Sequence, residues 1–208
     1  MSSVKIDQVA VGEVKRLMGE FADKYKAVLV TSINKTLVTA KTQAAARVGN
    51  KVNLKAARIK EDLIDDKANY AKLYGGLYAK DADENRIGLI QYGARQTMKG
   101  VTVQILRAKP PFLIPHAFIA ARGVKEHVFW RKKRTPDTNR WPTGKKINVR
   151  WDAIGKEYRR PLSLRRGPSV AYWFGKPDVF EPVSIQAQHV YVINVDNKIK
   201  EIIRRYHG

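Results

Sequence analysis

Apolar residues recur at three- and four-residue intervals over residues 13–48. Val14, Leu17, Met18, Phe21, Tyr25, Val28 and Leu29 form one stripe, which Ile33, Leu37, Ala40, Ala44 and Val48 continue. A pattern that returns to one side every 3.6 residues predicts a long amphipathic helix. Unbroken, it would run roughly 50 Å at 1.5 Å per residue. Gly19 is its weak point, and Gly49-Asn50 supplies the residue types that end helices. A shorter helix is expected from an N-cap at Asn53 through Ile64. Ala56, Ile59 and Leu63 would lie on one face, Lys55, Arg58 and Lys60 on the other, with Asp65-Asp66 closing it.

The period then changes. Val101, Val103 and Ile105 alternate with Thr102 and Gln104, as in a half-buried strand after a turn at Met98-Lys-Gly100. Ile87 to Tyr92 is the expected partner strand, with a further strand from Tyr70 to Tyr78 interrupted by Gly75-Gly76. Ala117-Phe-Ile119 and Val128-Phe129-Trp130 read as strands too. From about Ile185 to Tyr206 helical spacing returns at Val192, Val195, Ile199, Ile202, Ile203 and Tyr206, with Arg204 and Arg205 in the last turn, where cations suit the helix dipole. The expected fold is therefore α+β: a long N-terminal helix and a C-terminal helix packed on a mainly antiparallel sheet, in one domain spanning residues 1–208. The long helix should pack on the sheet that contains Val101, Val103 and Ile105.

Charge changes this picture. Lysine and arginine outnumber acids by 40 to 19, a formal charge of +21, while a hydrophobic share of 44% still provides a core. Such an excess favours polyanions: nucleic acid, anionic lipid or an acidic protein face. There is no cysteine, so disulfide frameworks and thiolate metal sites are excluded. No apolar run approaches the ~20 residues that span a bilayer, so no membrane partner is expected. The N-terminus lacks the apolar centre of a signal peptide. A soluble protein of a reducing cytoplasm, or of a particle built there, is the expectation.

The cations are not spread evenly. Residues 122–166 hold fifteen against four acids, together with Trp130, Trp141 and Trp151, three of the four tryptophans. The run Arg131, Lys132, Lys133, Arg134 sits at its centre of interest; Arg122, Lys125, Arg140, Lys145, Lys146 and Arg150 extend it, and Arg159, Arg160, Arg165 and Arg166 close it. This stretch reads as an extended basic loop or arm. Arg and Trp together suit an interface anchor, but cations with interleaved aromatics also suit nucleic acid. A plain solvated loop tip is the third reading.

Catalytic and metal chemistry finds little support. Asp81-Ala-Asp83-Glu-Asn85 opens like a calcium loop, yet its sixth position is Arg86 and its twelfth Tyr92 instead of glycine and glutamate. His116, His127, His189 and His207 are never four residues apart, so no helical metal pair exists. Asp65-Asp66 are adjacent and would not face one another on a helix. Walker, dinucleotide and nucleophile-elbow motifs are missing. No enzyme activity and no cofactor are expected.

Several short motifs resemble the phage minor tail protein Z family. They are Ser32-Ile-Asn-Lys35 in the long helix, the basic stretch from Lys51 to Lys60, Ala94-Arg-Gln96 before Lys99-Gly-Val-Thr-Val103, Pro115-His-Ala-Phe-Ile119, and His127-Val-Phe129 followed by Arg131. Arg160-Pro-Leu162 and Gly167-Pro-Ser-Val170 look like the family's returning strand before the C-terminal helix. The resemblance covers most of residues 25–206 and departs at 131–158, where a long basic excursion replaces a tighter connection. It implies a tail completion protein of a long-tailed phage, located in the virion at the head–tail interface and assembled in the host cytoplasm. The implied partners are further copies in a ring, with a hexamer as the leading expectation, a tail terminator or tail tube, and the head connector. Non-specific DNA contact is a secondary expectation. A stand-alone nucleic-acid-binding protein of the ribosomal type is the alternative.

Overall fold

The computed structural model describes residues 3–6, 24–80, 86–122, 124–131 and 162–207. The chain forms two compact units, residues 1–87, 106–108 and 168–208 in the first and 88–105 and 109–167 in the second. Helices and antiparallel sheets make the architecture α+β.

In unit 1 the predicted long helix is α1 (Tyr25–Lys51) over its described length; the expected turns before residue 24 lie outside the described residues. Val28, Leu29, Ile33, Leu37, Ala40, Ala44 and Val48 are all buried, as the stripe requires. Each fully buried Val, Leu or Ile contributes about 1.5–3 kcal/mol relative to exposure. The helix packs chiefly against the C-terminal helix α4 (Pro177–His207). The two run antiparallel: Lys51 forms an ion pair with Asp178, and Asn194 Nδ2 donates to Thr36 Oγ1 at 3.0 Å further along.

The sheet under α1 is β1 (Ser3–Ile6), β2 (Leu63–Asp66) and β3 (Gly75–Ala79), in the order β1-β3-β2 and wholly antiparallel. This corrects the expectation that α1 packs on the sheet of Val101 and Val103. Gly75 is where backbone meets helix. A Cβ there would stand 2.8 Å from Ile33 Cγ2 and 2.9 Å from Leu37 Cδ1, so only glycine fits unless α1 shifts. Gly75 and Gly76 thus open β3 instead of interrupting a longer strand from Tyr70.

The short helix α2 (Ala56–Asp62) stops before the expected Ile64, and its cap position is Lys55, not Asn53. Ala56 is exposed, so the buried side rests on Ile59 and Leu63. Residues 63–66 pair with β3 because they alternate. Leu63 is buried, and Asp65 is reached by Lys41 of α1 at 2.8 Å. Ile64 lies opposite Tyr78 and is exposed.

At the other end, Ser169 caps α3 (Val170–Phe174), its side chain accepting from the Tyr172 N–H at 3.2 Å. Residues 167–170 are therefore not a returning strand; that strand is β9 (Leu162–Leu164). The helix α4 starts eight residues before the expected Ile185 and carries Pro182 within it. Its core side is Val179, Val183, Ala187, Tyr191, Ile199 and Ile202, whereas Val192 and Ile203 of the predicted stripe are exposed.

Unit 2 holds two three-stranded antiparallel sheets. One is β4 (Arg95–Thr97), β5 (Gly100–Val103) and β6 (Phe112–Pro115); the other is β7 (Ala117–Arg122), β8 (Lys125–Arg131) and β9. The turn at residues 98–99 joins β4 to β5 as predicted, but β4, not residues 87–92, is the partner strand. Residues Leu89–Tyr92 form a 3-10 turn that Gly93 ends at φ 75°, a left-handed conformation that favours glycine. Tyr92 is fully buried there, its ring against Gly167, whose missing side chain leaves the space. Val101 and Val103 are buried, while Ile105 lies beyond the strand.

Candidate interaction site

The basic stretch grows out of the sheet β7-β8-β9. Strand β8 forms because Val128 and Phe129 bury their side chains while Lys125 and Glu126 stay exposed. Phe118 of β7 stacks on Phe129 with ring centroids 6.0 Å apart, and His127 meets the same ring edge-on at 6.2 Å. Arg122 pairs with Lys125 across the β7–β8 hairpin, so two cations flank its tip, where Val124 is fully exposed.

The ladder between β8 and β9 joins Phe129 to Leu164, Trp130 to Ser163 and Arg131 to Leu162. Arg165 continues it, its N–H donating to the Val128 carbonyl at 2.9 Å. The two ends of the segment 132–161 are therefore fixed side by side as strand partners. At this neck the Arg165 guanidinium lies over the Trp130 ring, 4.4 Å from its centroid. The stacking is what the geometry dictates: Ser163 stands opposite Trp130, and Arg165, two residues on, shares its face. Arg166 bridges to Gly88 and is exposed.

Of the predicted contact residues, the structure thus brings Trp130, Arg131, Arg165 and Arg166 to one neck, with Arg122 and Lys125 at the opposite end of β8. Lys132, Lys133, Arg134, Arg140, Trp141 and Lys145 lie outside the described residues, as do Lys146, Arg150, Trp151, Arg159 and Arg160. The polar turn at 81–85 lies outside them too. Sequence reasoning missed Arg95, Lys99 and Lys109, which are exposed on the same unit. The available signal was an absence of acids: residues 86–125 contain no Asp or Glu.

The resulting electrostatics are lopsided. Unit 2 holds 18 Lys and Arg against 4 acids, unit 1 holds 22 against 15. Among the described residues every ion pair lies in unit 1, as in Lys41–Asp65, Arg58–Asp62, Lys72–Asp66 and Lys198–Glu201. The described cations of unit 2 form no ion pair with an acid, and an excess of positive charge of this kind favours a polyanion. No group of three or more His, Asp or Glu that could hold a metal occurs among the described residues. No helix among them is long and apolar enough to cross a membrane. Comparison with protein-family models, with curated proteins and with solved structures finds no match for this chain.

Proposed function

We propose that the chain is a structural virion protein, a tail completion protein at the proximal end of a phage tail that joins tail to head connector as a ring around the DNA path. The observation that carries the reading is the concentration of positive charge in unit 2, most of it in a basic excursion whose two ends are paired in a ladder. A rigid root with a long cationic insert suits a subunit that must hold an acidic face of a neighbour, and Arg and Trp are the residues that dominate such contacts. The α+β architecture, with N- and C-terminal helices paired, accords with the resemblance in the sequence.

Complementation of a phage lacking the gene tests this. Replacing Arg131, Lys132, Lys133 and Arg134 with serine should lower infectious titre and the fraction of joined particles in micrographs, with the melting curve preserved. Normal joining with that variant would reduce the basic run to a solvated loop. The alternative, a stand-alone nucleic-acid-binding protein, is favoured by the same concentration of cations. A salt titration separates the two. The proposed role predicts sequence-indifferent DNA retention that fades steeply between low salt and ~0.2 M, since each neutralised phosphate adds to the slope. Tight binding of one sequence with a shallow slope would favour the alternative.

A further inference from the structure

Strand β1 lies at the edge of the sheet β1-β3-β2 and pairs with β3 in the register Ser3–Tyr78, Val4–Leu77, Lys5–Gly76 and Ile6–Gly75. It also packs on α4. The 17 residues 7–23 that join it to α1 lie outside the described residues. A far shorter connection would serve. Gly75, opposite Ile6, abuts Ile33 and Leu37 of α1. The helix begins at Tyr25, only about 12 Å along its axis from Ile33. About five extended residues, at ~3.3 Å each, cover that distance.

The start of α1 carries no stop signal. Its cap position, Lys24, has helical backbone angles (φ -85°, ψ -3°) and makes no side-chain cap hydrogen bond, and the first turn holds no acid. A helix that ends by design is usually closed by Ser, Thr, Asp or Asn, which satisfy the unpaired N–H groups of that turn. The apolar stripe of α1 meanwhile continues upstream at Phe21, Met18, Leu17 and Val14. A helix that follows this stripe to Glu13 ends about 30 Å from Ile33 along the axis. Residues 7–12 must then bring the chain back to Gly75, and the steps from Ile6 to Glu13 cover at most about 25 Å. From an extended α1, β1 therefore falls short of its own β3. Gly19 is where the stripe can bend and let the strand close on its own chain.

We propose that β1 is exchanged between copies of this chain: with α1 extended along its stripe, β1 of one copy adds to the edge of β3 in a neighbour. Each ladder bond is the same in either arrangement, so the exchange sacrifices no pairing and turns closed subunits into linked ones. The occupant of the β3 edge is a second copy because the chain between β1 and α1 is longer than its own fold needs, and the helix signal within it carries the strand outward. The inference concerns how copies hold one another and does not depend on the head–tail reading.

The absence of cysteine makes the contact directly readable. One full-length copy carries Ser3→Cys and another Tyr78→Cys, positions opposite one another in the ladder; the two are co-expressed, purified, oxidised and run on a non-reducing gel. Neither chain can close this disulfide internally, so a covalent two-chain product requires β1 of one copy on β3 of the other. That product is expected with this pair and not with Ser3→Cys and Ile64→Cys, because β2 lies one strand further from β1, beyond disulfide reach. A single chain carrying both Ser3→Cys and Tyr78→Cys should form linked chains. Adding Met18→Pro, which interrupts an extended helix, should convert them to internally bonded monomers. Absence of the two-chain product, equal product with Ile64→Cys, or an interchain yield untouched by Met18→Pro would each overturn the exchange. Loss of exchange leaves the head–tail reading on its basic excursion, and normal tail joining in the serine variant leaves the exchange standing, so the two fail separately.

Discussion

Asp65 shows how much one side chain can settle. The Lys41 ammonium, hydrogen-bonded to its carboxylate at 2.8 Å, holds Asp65 below the usual carboxylate range; partial burial pushes the other way and loses. The folded value is thus lower than the unfolded one. Stability from this pair is present above the unfolded pKa of about 4 and is lost as pH falls through the folded value. Asp65→Asn should therefore cost stability at pH 7 but flatten the decline of the melting temperature below pH 4. Parent-like acid sensitivity in that variant would remove Asp65 from the account. In the sequence the same residue was legible only as an adjacent acidic pair closing a helix. Its pairing with Lys41, 24 positions earlier, exists only once β2 lies against α1.

Elements whose side chains follow a period were legible, and those fixed by a neighbour were not. The α1 stripe from Val28 to Val48 and the strands at 101–103, 117–119 and 128–130 emerged from spacing alone. Residues 63–66 were read as a helix end because four residues carry too little period to outweigh the preceding helix; the open side of β3 decided the matter. The start of α4 was hidden by Pro177 and Pro182. Proline at a first helical position is well tolerated, but on paper it reads as a breaker. Of the site itself, the cationic stretch was visible, while the clamp of Trp130 by Arg165 depends on ladder register.

The edge strand β6 illustrates a feature of element scale that neither period nor composition reveals. The His116 N–H donates to the Lys99 carbonyl at 3.2 Å, so Gly100 and Pro115 form a non-hydrogen-bonded pair and Leu113 and Pro115 turn their backbone outward. Phe112 and Leu113 are 48% and 39% exposed, an invitation to edge pairing. Pro115, with Pro111 in the same alternation, has no N–H to offer, which blunts that edge. Pro111→Ala with Pro115→Ala should restore two donors and raise self-association, seen as increased light scattering at equal concentration. Scattering equal to the parent's would mean that the prolines do not guard the edge.

For the molecule as a whole, the division of charge matters more than its total. Every ion pair among the described residues lies in unit 1, whereas unit 2 carries 18 Lys and Arg against 4 acids, so on the proposed reading folding and association rest on different residues. The pairing of Arg131 with Leu162 places the two ends of the basic excursion on neighbouring strands. Deleting residues 132–161 and joining the strands through Asn-Gly should yield an ordinary β-hairpin. It should also stabilise the β8–β9 pairing by about 2 kcal/mol, because loop closure costs ~0.6 kcal/mol per doubling of length. Hydrogen exchange of the β8 amides would measure the gain, and an unfolded deletion variant would refute the expectation. The junction then behaves as a cassette. Any sequence whose ends return to neighbouring strand positions can occupy it without disturbing the ladder. On the proposed reading, a single recombination event there would exchange the molecule's choice of partner and leave its architecture inherited unchanged.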